Sequence, residues 1–152
     1  MKIKVDDLQD GAVIALLEEH LQDMYAVSPP ESVHALDVSA LKSDTITFFS
    51  GWLKDELTGC VAIKVLSDQH VELKSMRTVK QFRNSGVASK LLKHAIDVAK
   101  QRGVKKVSLE TGSENYFKPA RTFYEKSGFA PCAPFADYKP DPFSCFMTME
   151  LD

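Results

Sequence analysis

The stretch Arg83-Asn84-Ser85-Gly86-Val87-Ala88 carries the clearest chemistry in the chain. It lies between a strand-like run that ends near Val79 and a strongly amphipathic run that closes at Gly103. Small, turn-prone residues at the mouth of a helix leave backbone N–H groups without internal partners, and the helix dipole adds partial positive charge to them. Such a mouth binds phosphate without a basic side chain. The expected ligand is therefore a phosphorylated cofactor. The spacings G-x-x-x-x-G-K-[ST] and G-x-G-x-x-G are both absent, which argues against the common nucleotide and dinucleotide loops.

Other chemistry-bearing residues are scattered. Cys60, Cys132 and Cys145 form no CxxC pair, show no metal spacing and have no basic or histidine-rich setting that would make a nucleophile. His20, His70 and His94 fall at polar positions and are expected to be solvated, and His34 lies in a loop. No metal site is expected.

These residues must be positioned by a mixed α/β framework. Lys2 to Val5 alternates as a short strand. Val13, Ile14, Leu17, Leu21, Met24 and Tyr25 recur at helical spacing, which predicts a helix from Asp10 to Ala26, stopped by Ser28-Pro29-Pro30. A helical turn is expected over Val38 to Lys42. Thr45 to Leu53, Gly59 to Leu66 and His70 to Val79 read as an antiparallel meander. Val87, Leu91, Leu92, Ala95, Val98 and Ala99 then mark one face of a helix that ends at Gly103. Lys105 to Thr111 is a strand reached by a parallel crossover. Pro119 opens a last helix and Gly128 closes it. Four of the seven prolines fall between Pro131 and Pro142, a structured loop before a final strand through Cys145, Met147, Met149 and Leu151.

Within the third meander strand the apolar phase slips by one between Leu73 and Met76. A slip of one turns later side chains to the wrong face unless the strand holds a β-bulge. A bulge would also bend the strand away from its neighbour and leave backbone groups free for a ligand.

Arg83-x-x-Gly86-x-Ala88 resembles the R/Q-x-x-G-x-G/A signature of the GCN5-related N-acetyltransferases (GNAT). Glu72 stands eleven residues ahead of Arg83, and Ala120-x-x-x-Tyr124-x-x-x-Gly128-Phe129 resembles a further segment of that family. The match runs from about Thr45 to Phe129 in the same element order. Ser28-Pro29-Pro30-Glu31-Ser32, Glu110-Thr111-Gly112 and Asp137-Tyr138-x-x-Asp141-Pro142 resemble a small bacterial, YsnE-like subgroup. The resemblance implies a GNAT-type mixed, mostly antiparallel sheet with a β-bulge splay and flanking helices. It implies an acetyl-CoA-dependent N-acetyltransferase acting by direct attack in a ternary complex.

By the same resemblance, the pantetheine arm of coenzyme A pairs with the backbone around Met76, Arg77 and Thr78. The pyrophosphate sits on the amides of Ser85, Gly86, Val87, Ala88 and Ser89, with Arg83 and Asn84 opening the loop. Gly86 lets the backbone approach the phosphate. Asn115 resembles a cofactor-side asparagine at longer spacing, and Lys90 or Arg121 are candidates for the ribose phosphate. Tyr124 is implied near the cofactor sulfur as general acid. Glu72 is implied as general base, directly or through water; the alternative is a salt bridge to Lys74. A base matters because an alkyl amine with a pKa near ~10.4 costs roughly 4–5 kcal/mol to deprotonate at pH 7.

The acceptor is expected between Met24–Leu36 and Phe135–Phe143, lined by Tyr25, Glu31, His34, Phe135, Asp137 and Tyr138. Carboxylates there suit a cationic amine and the rings an apolar body, so a small-molecule amine is favoured. A silent acyl-CoA-binding module and acetylation of a protein amino group stay open. With 152 residues, 44% hydrophobic and 26% charged, one domain is expected. A net charge of −2 speaks against a dedicated nucleic-acid binder. With no secretory-type start and no membrane-length run, the expectation is a cytoplasmic protein, a monomer or homodimer.

Overall fold

The computed structural model describes residues 1–152. Strand β1 (Lys2–Val5) leads into helix α1 (Gly11–Val27) and the short α2 (Val38–Leu41), followed by the meander β2 (Ile46–Leu53), β3 (Glu56–Ser67) and β4 (His70–Thr78). Helix α3 (Val87–Gln101), strand β5 (Lys106–Gly112), helix α4 (Lys118–Lys126) and strands β6 (Ala130–Pro131) and β7 (Ser144–Glu150) complete the order. One seven-stranded sheet runs β1-β2-β3-β4-β5-β7-β6. Only β4 and β5 pair in parallel, with α3 carrying the chain back between them.

Local chemistry explains the boundaries. The Asp10 carboxylate caps α1 by accepting from the Ala12 N–H at 2.8 Å. Ser28 is extended, as a residue before proline must be, and ends that helix. Gly103 takes φ +80 just past α3, the backbone conformation that favours glycine. Strand β3 starts at Glu56 rather than Gly59, because Lys54 turns with φ +56 and lets Leu53 pair directly with Glu56.

The sheet has two apolar faces. One carries Phe49, Val61, Ile63, Leu73, Val107 and Leu109 against Leu91, Leu92 and Ala95 of α3 and Tyr124 of α4. The other carries Phe48, Cys60 and Ala62 against Val13, Leu16 and Leu17 of α1 and Leu41 of α2. Each fully buried leucine contributes about 2–3 kcal/mol by leaving water. No helix is long and apolar enough to cross a membrane.

Three histidines depart from the solvated positions expected for them. His20 is half-buried, with Nδ1 3.5 Å from the Arg77 guanidinium. His70 Nε2 lies 2.7 Å from Ser108 Oγ, and His94 sets its ring edge-on to Phe49 at 4.9 Å. All three lie on element faces that are polar by pattern yet covered by the neighbouring element.

Candidate active site

The parallel seam between β4 and β5 is short: it runs from His70 opposite Lys106 to Leu73 opposite Leu109. Beyond it β4 stays with β3 and β5 stays with β7, so the sheet opens as a V. The cause is the bulge expected from the phase slip. Lys74 pairs with Ala62 and Arg77 with Cys60, so Ser75 and Met76 together face Val61. Ser75 makes the bend with φ +53. The extra residue returns Met76 to the face that holds Leu73 and turns Arg77 toward α1.

Past the bulge, the Val79 N–H bonds the Thr58 carbonyl on β3. Backbone groups alternate along a strand, so those of Met76 and Thr78 point into the V instead. A cleft of about 730 Å³ fills the V and extends to the mouth of α3. At that mouth Asn84 and Gly86 both take positive φ, +62 and +84. The Ser85 hydroxyl donates to the Phe82 carbonyl and holds the loop. None of the N–H groups from Asn84 to Ser89 has a partner inside the protein; the first helical bond is from Lys90 N–H to the Gly86 carbonyl. This row of free donors suits a pyrophosphate.

Met76, Arg77, Thr78, Arg83, Asn84, Gly86, Val87, Ala88, Ser89 and Tyr124 all line this cleft. Ser85 sits in the loop but not in the cleft wall. Arg77 lines it by backbone; its side chain runs the other way, to Glu19 at 2.5 Å and Asp23 at 2.6 Å on α1. Asn115 is elsewhere, in a shallow exposed hollow with Ala26, Val27 and Glu114, because the turn Asn115–Phe117 carries it outward. Arg121 is also spent: it donates to the carbonyls of Gly112 at 2.7 Å and Glu114 at 2.9 Å.

Tyr124 is 7% exposed, between Phe123 and Phe129, and burial raises its pKa and keeps its hydroxyl protonated. Glu72 reaches the cleft but is 3% exposed, and one of its oxygens is doubly engaged. Its Oε2 takes Lys74 Nζ at 3.1 Å and the Tyr138 hydroxyl at 2.5 Å, and Lys74 Nζ also donates to that hydroxyl at 3.0 Å. The salt bridge considered from the sequence is therefore present.

Among the acceptor candidates, His34 lines the cleft, half-buried and edge-on to Tyr138 at 5.0 Å. Burial, then the nearby Lys74 charge, lowers its pKa. Phe135 and Tyr138 are not in the cleft wall. They pack on each other at 5.1 Å and on Phe146, behind the Glu72 carboxylate. Tyr25, Glu31 and Asp137 face solvent outside the cleft: Tyr25 sits on the outer face of the last turn of α1, and the short segments that carry Glu31 and Asp137 turn them outward. From the same two segments, Met24, Ser28, Ser32, Val33, Ala35 and Phe143 line the cleft.

Glu110 also lines the cleft, without a role legible in the sequence. It is the first residue of β5 beyond the seam. Burial chiefly, with Glu72 and Asp141 adding, pushes its carboxyl up to about 7 against the opposing pull of Ser144 and Lys74. The sequence signal is weak, because Glu110 shares its strand face with Lys106 and Ser108, a pattern that reads equally as a solvated face.

Residues 13–129 match the acetyltransferase (GNAT) family. The chain is 51% identical over 151 residues to the uncharacterised N-acetyltransferase YsnE of Bacillus subtilis strain 168, covering 99% of this chain and 100% of that one. Its fold is similar to an acetyltransferase from Streptococcus agalactiae 2603, with TM-score 0.76 at 19% identity over 99% and 98% of the two chains. It is similar also to the PaiA N-acetyltransferase of Thermoplasma acidophilum in complex with coenzyme A, with TM-score 0.72 at 17% identity over 99% and 100%. The chain belongs to the GNAT family and is an N-acetyltransferase whose cosubstrate is acetyl-CoA.

Proposed function

We propose that the chain transfers the acetyl group to a primary amine of a small molecule, by direct attack with both substrates bound. The observation that carries this reading is one continuous cleft that joins a row of unpaired N–H groups, Asn84 to Ser89, to the open V. The amides of Ser85 to Ser89 hold the pyrophosphate, with Arg83 and Asn84 at the entrance. The backbone of Met76, Arg77 and Thr78 forms the edge along which the pantetheine arm lies. Acetyl-CoA supplies the activated acyl group when bound.

The V then brings three functions to one end. The Met76 N–H is placed to stabilise negative charge that develops on the acyl oxygen. Tyr124 offers a hydroxyl that burial keeps protonated, a donor for the departing sulfur. Glu72 belongs to the carboxylate group that draws an ammonium toward the V and handles its proton. Small size of the acceptor is supported by how the loops close that end. Ser32 donates to Asp141 at 2.7 Å, Ser28 to Glu114 at 3.0 Å and Ser113 to the Pro142 carbonyl at 2.6 Å. These bonds tie together the loop after α1, the segment after β5 and the loop before β7, which favours an enclosed pocket over a groove for a chain.

The test is thiol release from acetyl-CoA with a panel of amines, amino acids, polyamines, aminoglycosides and peptides, each product confirmed by mass. Turnover is expected with at least one small amine. Turnover confined to peptides would replace the acceptor, and none at all would reject the reading.

A further inference from the structure

Resting on that reading, we infer that Glu110, not Glu72, takes the proton from the acceptor amine. The seam ends at Leu73 and Leu109, so Glu110 stands at the apex of the V, where the two half-sheets part. It shares a sheet face with Ser108 and Glu72 and lines the cleft. Glu72 has both a cation and a hydroxyl on the same oxygen, and taking a proton there would break a buried ion pair. Glu110 has no ion-pair partner within 4 Å. It is the carboxylate free to change protonation state.

The groups around it set its affinity for a proton. Glu72 and Lys74 face it from β4, Asp141 and Tyr138 from the loop before β7, and Ser144 from β7 itself. His34 stands at the same end from the loop after α1. Apolar enclosure and two acidic neighbours outweigh the one ammonium and the hydroxyl, so the carboxyl titrates near neutrality, where a general base works best.

The step balances. An incoming ammonium gives one proton to the Glu110 carboxylate, and the freed lone pair forms the nitrogen–carbon bond. The carbon–sulfur bond breaks, its electron pair stays on sulfur, and the second nitrogen-bound proton ends there as the thiol. Glu110 returns its proton to water through the cleft.

Two measurements on Glu110→Gln test this. The first is thermal melting without acetyl-CoA from pH 5 to pH 8. A carboxyl raised in the folded state from ~4.3 toward 7 makes the folded protein hold the extra proton, so stability falls as pH rises across that window. The wild type is expected to lose melting temperature relative to the variant over this range; parallel curves overturn the titration. The second is the pH profile of kcat/KM for an accepted amine. The wild type is expected to show an acid limb with a midpoint near 7. In Glu110→Gln the limb vanishes and kcat falls ~100-fold, with acetyl-CoA affinity within about twofold. Glu72→Gln keeps the limb and moves it to lower pH, because a neighbouring negative charge is gone. A limb kept in Glu110→Gln and lost in Glu72→Gln hands the role to Glu72. If the wild type acetylates no amine, the proposed function and this assignment fall together; turnover with an unchanged Glu110→Gln profile rejects this assignment alone.

Discussion

Tyr124 is buried, its hydroxyl protonated and free of protein partners at the cleft, while its ring is fixed by Phe123 and Phe129. Packing and chemistry are therefore separable at this residue. Tyr124→Phe keeps the ring and removes only the donor. A hydrogen bond to a leaving sulfur is worth roughly 1–2 kcal/mol, so kcat is expected to drop about tenfold. Acetyl-CoA affinity and melting temperature should barely move. An unchanged kcat in a steady-state assay would make Tyr124 a packing residue. Cys60 shows the opposite division of labour. Its thiol donates to the Ser75 carbonyl at 3.2 Å, and burial pushes its pKa up to about 12, which makes it inert and part of the bulge.

At the scale of elements, Gly112 decides where β5 ends and α4 begins. A Cβ there would lie 2.0 Å from the Phe117 ring, which is itself 8% exposed. Arg121 reaches back to the carbonyls of Gly112 and Glu114 and fastens the same corner. Gly112→Ala is expected to cost about 2–3 kcal/mol in urea unfolding, because a ring with no room must move. Elements of this kind were legible in the sequence wherever one periodic pattern governed them. The α3 stripe from Val87 to Ala99 and the slip between Leu73 and Met76 each led to the right local structure. What was not legible depended on contacts between distant segments. Nothing near Arg77 in sequence announces Glu19 and Asp23, and nothing near Glu72 announces Tyr138. Asn115 matches a family asparagine at a longer spacing and Tyr25 lies in the last turn of α1, yet a rotation by one residue decides whether such a side chain faces the cleft or the solvent. Glu110 has no legible role in the sequence, because a charge on a strand reads equally as exposed.

For the molecule as a whole, ligand and stability are linked through the cleft, since it is lined by β4, β5, the ends of α1, α3 and α4, and both flanking loops. Acetyl-CoA at 100 times its Kd is expected to add about 2.7 kcal/mol and raise the melting temperature by roughly 5–10 °C. Gly86→Val should abolish most of that shift. The added Cβ meets nothing within 4 Å in the free protein, so the apo protein should lose only the ~1–2 kcal/mol of holding a β-branched residue at φ +84. A full shift in the variant would show that the phosphates lie elsewhere.

The backbone edge at Met76 and Thr78 has a genetic consequence. In the proposed reading the cofactor arm is recognised there by peptide groups that every residue except proline supplies. Changes of residue type at these two positions are thus nearly silent for that contact. Changes of residue number are not. Loss of one residue between Lys74 and Met76 would remove the bulge, return β4 to plain pairing with Val61 and turn the peptide groups after it the other way. For the cofactor contact, these two positions are free to vary in spelling but held to a fixed spacing, and the indel, rather than the substitution, is the mutation that contact must avoid.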